Sequence, residues 1–175
     1  WKYQRTIIND WLKTLNWEEL QDFNCCQKTW EDSPYGREKD FYGTSNNNRN
    51  AMTTDGTARI MEEIMQNIIF NEKNINLKNC LFRQIKEQSQ DKDANDQING
   101  FLGEGLPQNI PFWSKAGLMS EARNDAAWWI NKNQSKTLLV VFTEGKEFAN
   151  DNNFLPEFSK AIYEFIHSEK LINLP

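Results

Sequence analysis

Residues 137–144, TLLVVFTE, set the strongest constraint on how this chain can fold. Side chains alternate across a strand, so Leu138 and Val140 take one face and Leu139 and Val141 the other. Both faces are apolar, the pattern of a strand buried inside a sheet. Two further segments, 109–117 and 124–131, read as strands. Asn131-Lys132-Asn133-Gln134 supplies turn chemistry between the second and third. Links this short favour antiparallel hairpins over crossovers. The spacing therefore predicts a three-strand antiparallel meander.

Helical periodicity surrounds it. Ile7, Ile8, Trp11, Leu12 and Leu15 predict an amphipathic helix over 5–21, with Leu20 at its end. Thr53-Thr54-Asp55-Gly56 offers hydroxyl and carboxylate caps to a second helix, whose stripe is Ile60, Met61, Ile64, Met65, Ile68 and Ile69. Leu77 to Lys86 predicts a shorter helix. Phe158, Ala161, Ile162, Phe165 and Ile166 predict a closing one over 155–172. Residues 22–53 have no sustained period and contain Ser33-Pro34-Tyr35-Gly36 and the Asn-rich run 46–50. Loops of that length are functional or disordered. The expected class is α+β: a mainly helical part, 1–108, and a sheet with its C-terminal helix, 109–175, forming one structural unit.

Composition excludes several partners. A formal charge of −5 without a clustered basic patch argues against nucleic acid and anionic lipid. There is no apolar run of membrane-spanning length. One histidine, His167, and three cysteines, of which Cys25 and Cys26 are adjacent, give no zinc-site spacing. No metal and no cofactor is expected.

The stretch FWSKAGLMSEARNDAAWW, 112–129, places one lysine in an apolar strand beside Gly117. Lys115-Ala116-Gly117, then Arg123-Asn124-Asp125 with an apolar strand, then LLVVFTEG at 138–145, resembles the C-terminal part of class A-like serine beta-lactamases. Their superfamily includes penicillin-binding proteins and D-Ala-D-Ala carboxypeptidases. FLGEGLP at 101–107 is similar to the segment leading into the lysine strand, and MTTDGTARIMEEI at 52–64 to the helix after the omega loop. The resemblance runs with gaps from about residue 50 to 172 and makes 22–53 omega-like.

It implies an acyl-serine hydrolase whose cleft runs beside the edge strand. Lys115 would hold positive charge near a ligand carboxylate. The Leu118 N–H would be an oxyanion donor, and Glu38 the loop carboxylate that activates water. Ala116, Gly117 and Trp113 would contact a beta-lactam or cell-wall peptide-like ligand. Asp125 would buttress the strand from behind. Trp113, Trp128 and Trp129 admit cleft and core roles alike, and at most one of the adjacent pair can share a face with the neighbours of Lys115.

Two departures stand out. The family has Thr or Ser where this chain has Ala116, so a hydroxyl that helps bind the carboxylate is missing. The family nucleophile lies in Ser-x-x-Lys on a buried apolar helix. Only Ser89-Gln90-Asp91-Lys92 fits those letters, in a polar stretch after the omega-like region, and Ser45-Asn46-Asn47 fits Ser-x-Asn inside the Asn run just before the helix that follows the loop. Both read as chance. The expectation is a C-terminal portion of such a hydrolase, or else a non-catalytic module of the same fold that binds such peptides. The family's two N-terminal strands would be absent beside 137–144, leaving that edge to the missing N-terminal segment or to a second copy. By resemblance alone, the location is periplasmic or secreted.

Overall fold

A computed structural model describes residues 2–25, 36–42, 44, 48–66, 74–85 and 97–168. Contacts divide the chain into two compact units, Trp1–Arg59 and Ile60–Pro175.

The first unit opens with α1, Lys2–Thr14, and a single 3-10 turn, Glu18–Leu20. The expected helix thus ends seven residues early, and Asn16 takes a left-handed φ of 51°. Leu12 and Leu20 are buried, whereas Ile7, Ile8 and Trp11 of the same apolar stripe are exposed. The omega-like loop is closed at its neck. Asn24 and Ala51 exchange backbone hydrogen bonds of 2.8 and 2.9 Å, and the Asn24 amide donates to the Arg49 carbonyl at 2.6 Å. A short helix, α2, Arg37–Tyr42, lies within it, although the sequence there shows no period. α3, Thr54–Gln66, starts in this unit. Its cap is the predicted one: the Thr53 hydroxyl accepts the Gly56 N–H at 3.0 Å. Gly56 is required, because an added Cβ would stand 2.8 Å from the Glu19 carbonyl oxygen.

The second unit holds the later turns of α3, then α4, Asn74–Leu81, and, among the described residues, four strands: β1, Phe82–Arg83, β2, Phe112–Met119, β3, Ala122–Ile130, and β4, Lys136–Val141. They pair antiparallel in the order β1-β2-β3-β4. The meander is as read, with one addition: residues assigned to the end of a helix form β1, pairing Phe82 with Trp113 and Arg83 with Phe112. A two-residue strand has no alternation to read, so only its partner reveals it. α5, Lys146–Asn150, and α6, Phe154–His167, complete the α+β fold.

Both sheet faces are covered, as TLLVVFTE demanded. On one lie Phe112, Ala116, Ala127 and Trp129, packed with Leu102, Leu106 and Leu155 and flanked by Leu139 and Val141. On the other lie Ala126 and Trp128 with Met61 of α3, flanked by Met65, Trp113, Leu138 and Val140. Trp128 and Trp129 therefore both serve the core, on opposite faces. Asn131 is buried in the β3–β4 turn with every polar atom used: Oδ1 accepts the Trp129 indole N–H at 2.8 Å, and Nδ2 donates to Ser135 and Thr137 at 2.8 and 2.9 Å.

Cys25 and Cys80 are free thiols. No helix among the described residues is long and apolar enough to cross a membrane. Ser45, Ser89 and Cys26 lie outside the described residues, as do the ends of the predicted helices beyond 66, 85 and 168.

Candidate functional site

β2 presents an open edge. β1 pairs only with its first two residues, so from Ser114 to Met119 no strand flanks it on that side among the described residues. Its side chains alternate between the faces. Phe112, Ser114 and Ala116 point into the core under α6, and Trp113, Lys115 and Gly117 point the other way. Lys115 is exposed, opposite Ala126 in the register.

The backbone direction follows from two contacts. The Ala116 N–H donates to Gln97 Oε1 at 3.2 Å, and the Lys115 ammonium donates to the Ala116 carbonyl oxygen. Ala116 thus turns both backbone groups outward, off the sheet. Strand geometry repeats every two residues, so the N–H and C=O of Leu118 face outward on the same edge. The Leu118 side chain is 56% exposed. At Gly117 an added Cβ would meet nothing within 4 Å, so no packing demand accounts for this glycine.

The residues predicted from the sequence separate accordingly. Lys115, Ala116, Gly117 and Leu118 are consecutive on the open edge. Ala116 is 3% exposed with its Cβ in the core, so only its backbone is available to a ligand. Trp113 is half-buried on the Lys115 face, edge-on to Phe82 with centroids 5.7 Å apart. Glu38 belongs to the first unit, on α2. In the second unit, a depression of about 230 Å³ is lined by Phe82, Ile85, Asn109, Ile110 and their neighbours, and Lys115 is not among them. Lys115 stands on an open edge rather than in this hollow.

Behind the edge, Asp125 lies opposite Ala116 in the register and is fully buried. Its Oδ2 accepts the Leu102 N–H at 3.1 Å, and among the described residues Oδ1 makes no hydrogen bond of good geometry. Burial raises its pKa from 3.8 to about 7, against the lowering effect of the Leu102 and Ala126 backbone N–H groups and of the Lys115 and Arg83 charges. It supports the strand from the core side, as expected.

Two residues received no role from the sequence. Arg123 is buried and spreads its guanidinium over the Gly100 carbonyl at 3.1 Å, the Ala149 carbonyl at 3.0 and 3.3 Å and Asn152 Oδ1 at 2.6 Å, above the Phe101 ring. It joins β3, the 97–106 segment and the end of α5. Gln97 bridges Ala116 and the Lys115 ammonium, the latter at 3.4 Å. It sits in a polar stretch where one amide looks like any other.

The sheet and its helical layers match known structures. A beta-lactamase from Sphaerobacter thermophilus aligns with a TM-score of 0.62 at 15% identity, covering 96% of this chain and 54% of that one. A class A beta-lactamase representative from Bacteroides cellulosilyticus aligns at 0.60 and 21%, covering 93% and 54%. A mutant of PBP-A, solved as an acyl-enzyme complex with penicillin G, aligns at 0.54 and 15%, covering 71% and 44%. The chain spans about half the length of these structures, and at such identities the likeness is one of fold. Among curated proteins, none matches. A family model described as "Beta-lactamase enzyme family" matches residues 1–166, taking in the N-terminal residues where the sequence shows no resemblance, and with nearly the whole chain inside that match the protein belongs to the beta-lactamase enzyme family.

Proposed function

We propose that β2 is the lysine-bearing half of an acyl-transfer serine hydrolase acting on a beta-lactam or a peptidoglycan-like peptide. A serine oxygen would attack the ligand carbonyl, the C–N bond would break with proton transfer to the departing nitrogen, and water would then cleave the acyl-serine ester. The attacking serine would come from sequence outside these 175 residues. Lys115 would steer and hold the ligand carboxylate. The outward N–H of Leu118 would donate to the developing oxyanion, a contribution of about 3 kcal/mol for one preorganised donor. Gly117 leaves room for a ligand backbone, and Trp113 would lie beside it. The observation that carries this reading is the open edge of β2, with Lys115 beside outward-facing backbone groups. Export to the periplasm or the exterior fits the substrate class.

Fluorescent penicillin tests it. The 175-residue chain alone is expected to stay unlabelled. Joined to a family segment bearing Ser-x-x-Lys, it is expected to label on that serine, with Lys115→Ala slowing acylation about 100-fold. Label on Ser89 of the isolated chain would overturn the assignment. The buried, hydroxyl-free side chain at Ala116 favours a second reading, a binding module without chemistry. That module would bind peptide reversibly and never label.

We infer further that the outer edge of β4 is covered by strands from the remaining half of a family-length polypeptide. The chain's coverage of only about half of its solved relatives supports this. In the isolated chain a second copy would take that place.

A further inference from the structure

We propose that Gln97 is a ligand-positioning residue that replaces the hydroxyl missing at Ala116, offering its amide N–H groups to the carboxylate that Lys115 attracts. This rests on the reading of β2 given above.

The orientation of the Gln97 carboxamide is fixed by chemistry. The Ala116 N–H and the Lys115 ammonium can only donate, so the group facing both at 3.2 and 3.4 Å must be the oxygen. The two N–H bonds of Nε2 then point away from these donors, and no described residue accepts from them. The ammonium has three protons. Two are directed at the Ala116 carbonyl and at Gln97 Oε1, which leaves one. An incoming carboxylate would take that third proton with one oxygen and a Gln97 N–H with the other.

The base beneath Gln97 is firm. The Phe101 N–H closes a turn onto the Ile98 carbonyl at 3.0 Å, Arg123 holds the Gly100 carbonyl, and Ile98 and Phe101 are buried. The carboxamide is also neutral. It orders the lysine without cancelling its charge, as a glutamate would. The side chain at 116 cannot serve, because it is a buried methyl with no hydrogen to donate.

The probe is N-acetyl-D-alanyl-D-alanine, compared with its C-terminal amide, titrated against the full chain by NMR. Wild type is expected to prefer the carboxylate about tenfold. Gln97→Met, which keeps length but has no donor, is expected to weaken carboxylate binding about tenfold and leave amide binding unchanged. Gln97→Asn, polar but too short to reach, is expected to behave like Met and covers the case in which the Met variant fails to fold. Gln97→Glu is expected to lose carboxylate binding entirely. If Lys115→Met removes the preference while both short and apolar Gln97 variants keep it, the role given to Gln97 is wrong and the reading of β2 stands. If wild type binds both ligands alike, or neither, both fall.

Discussion

A carboxyl group enclosed at position 125 has one oxygen on the Leu102 N–H, while the other makes no hydrogen bond of good geometry among the described residues. Burial holds its pKa at about 7, far above the 3.8 of an ordinary aspartate. The folded state therefore binds the proton more tightly than the unfolded chain. Its stabilising contribution is complete below about pH 4 and disappears as pH rises through 7. The span is on the order of 4 kcal/mol. Asp125→Asn keeps an acceptor for Leu102 and removes the titration. Urea unfolding between pH 4 and 8 should show wild type losing stability relative to the variant as pH rises. A constant difference between the two across that range would contradict the assignment. Nothing in the letters Asn-Asp-Ala foretells this pKa, because burial depends on what the 97–106 segment lays across the strand.

Arg123 dominates among the elements. One planar guanidinium holds the ends of β3, α5 and the 97–106 segment through four hydrogen bonds. A lysine carries the same charge without the fork and cannot reach three carbonyl-type acceptors together. Arg123→Lys is expected to lower stability by about 2–4 kcal/mol. Hydrogen exchange should quicken first at Phe101, Glu104 and Leu106, whose N–H groups close the turns of that segment. Uniform quickening across the sheet would argue against a local clamp. The elements themselves were largely legible. α3 announced itself by a capped 3.6-residue stripe, and β2 to β4 by alternation and short turns. β1 was not legible, because two residues carry no period. The stripe of α1 was legible as a helix but misleading as to burial, since Ile7 and Ile8 are exposed.

At the scale of the whole molecule, the directions of the backbone groups identify the sheet's outer edge. Ala116 faces outward, so its partner Asp125 turns its backbone toward Val141. By the same two-residue period, Leu138 and Val140 present their N–H and C=O groups to the outside of β4. That edge is apolar and lacks proline, and among the described residues no strand pairs with it, the condition under which an edge recruits another chain. The isolated chain is expected to associate as its concentration rises, seen in size-exclusion chromatography. Val140→Pro removes an outward N–H without touching the ladder to β3 and should return it to monomer with its circular dichroism retained. A wild-type monomer at every concentration would show the edge to be protected.

The α+β class, three of the four described strands, the cap of α3 and the family were readable from the order of residues, because each is carried by local periodicity or by short motifs in order. That Ala116 faces the core, that Gln97 closes on the strand edge, and that Asp125 is sealed from water came from the packed fold alone. Those outcomes depend on which surfaces meet across tens of residues, and a side chain's surroundings are not written in its neighbours along the chain.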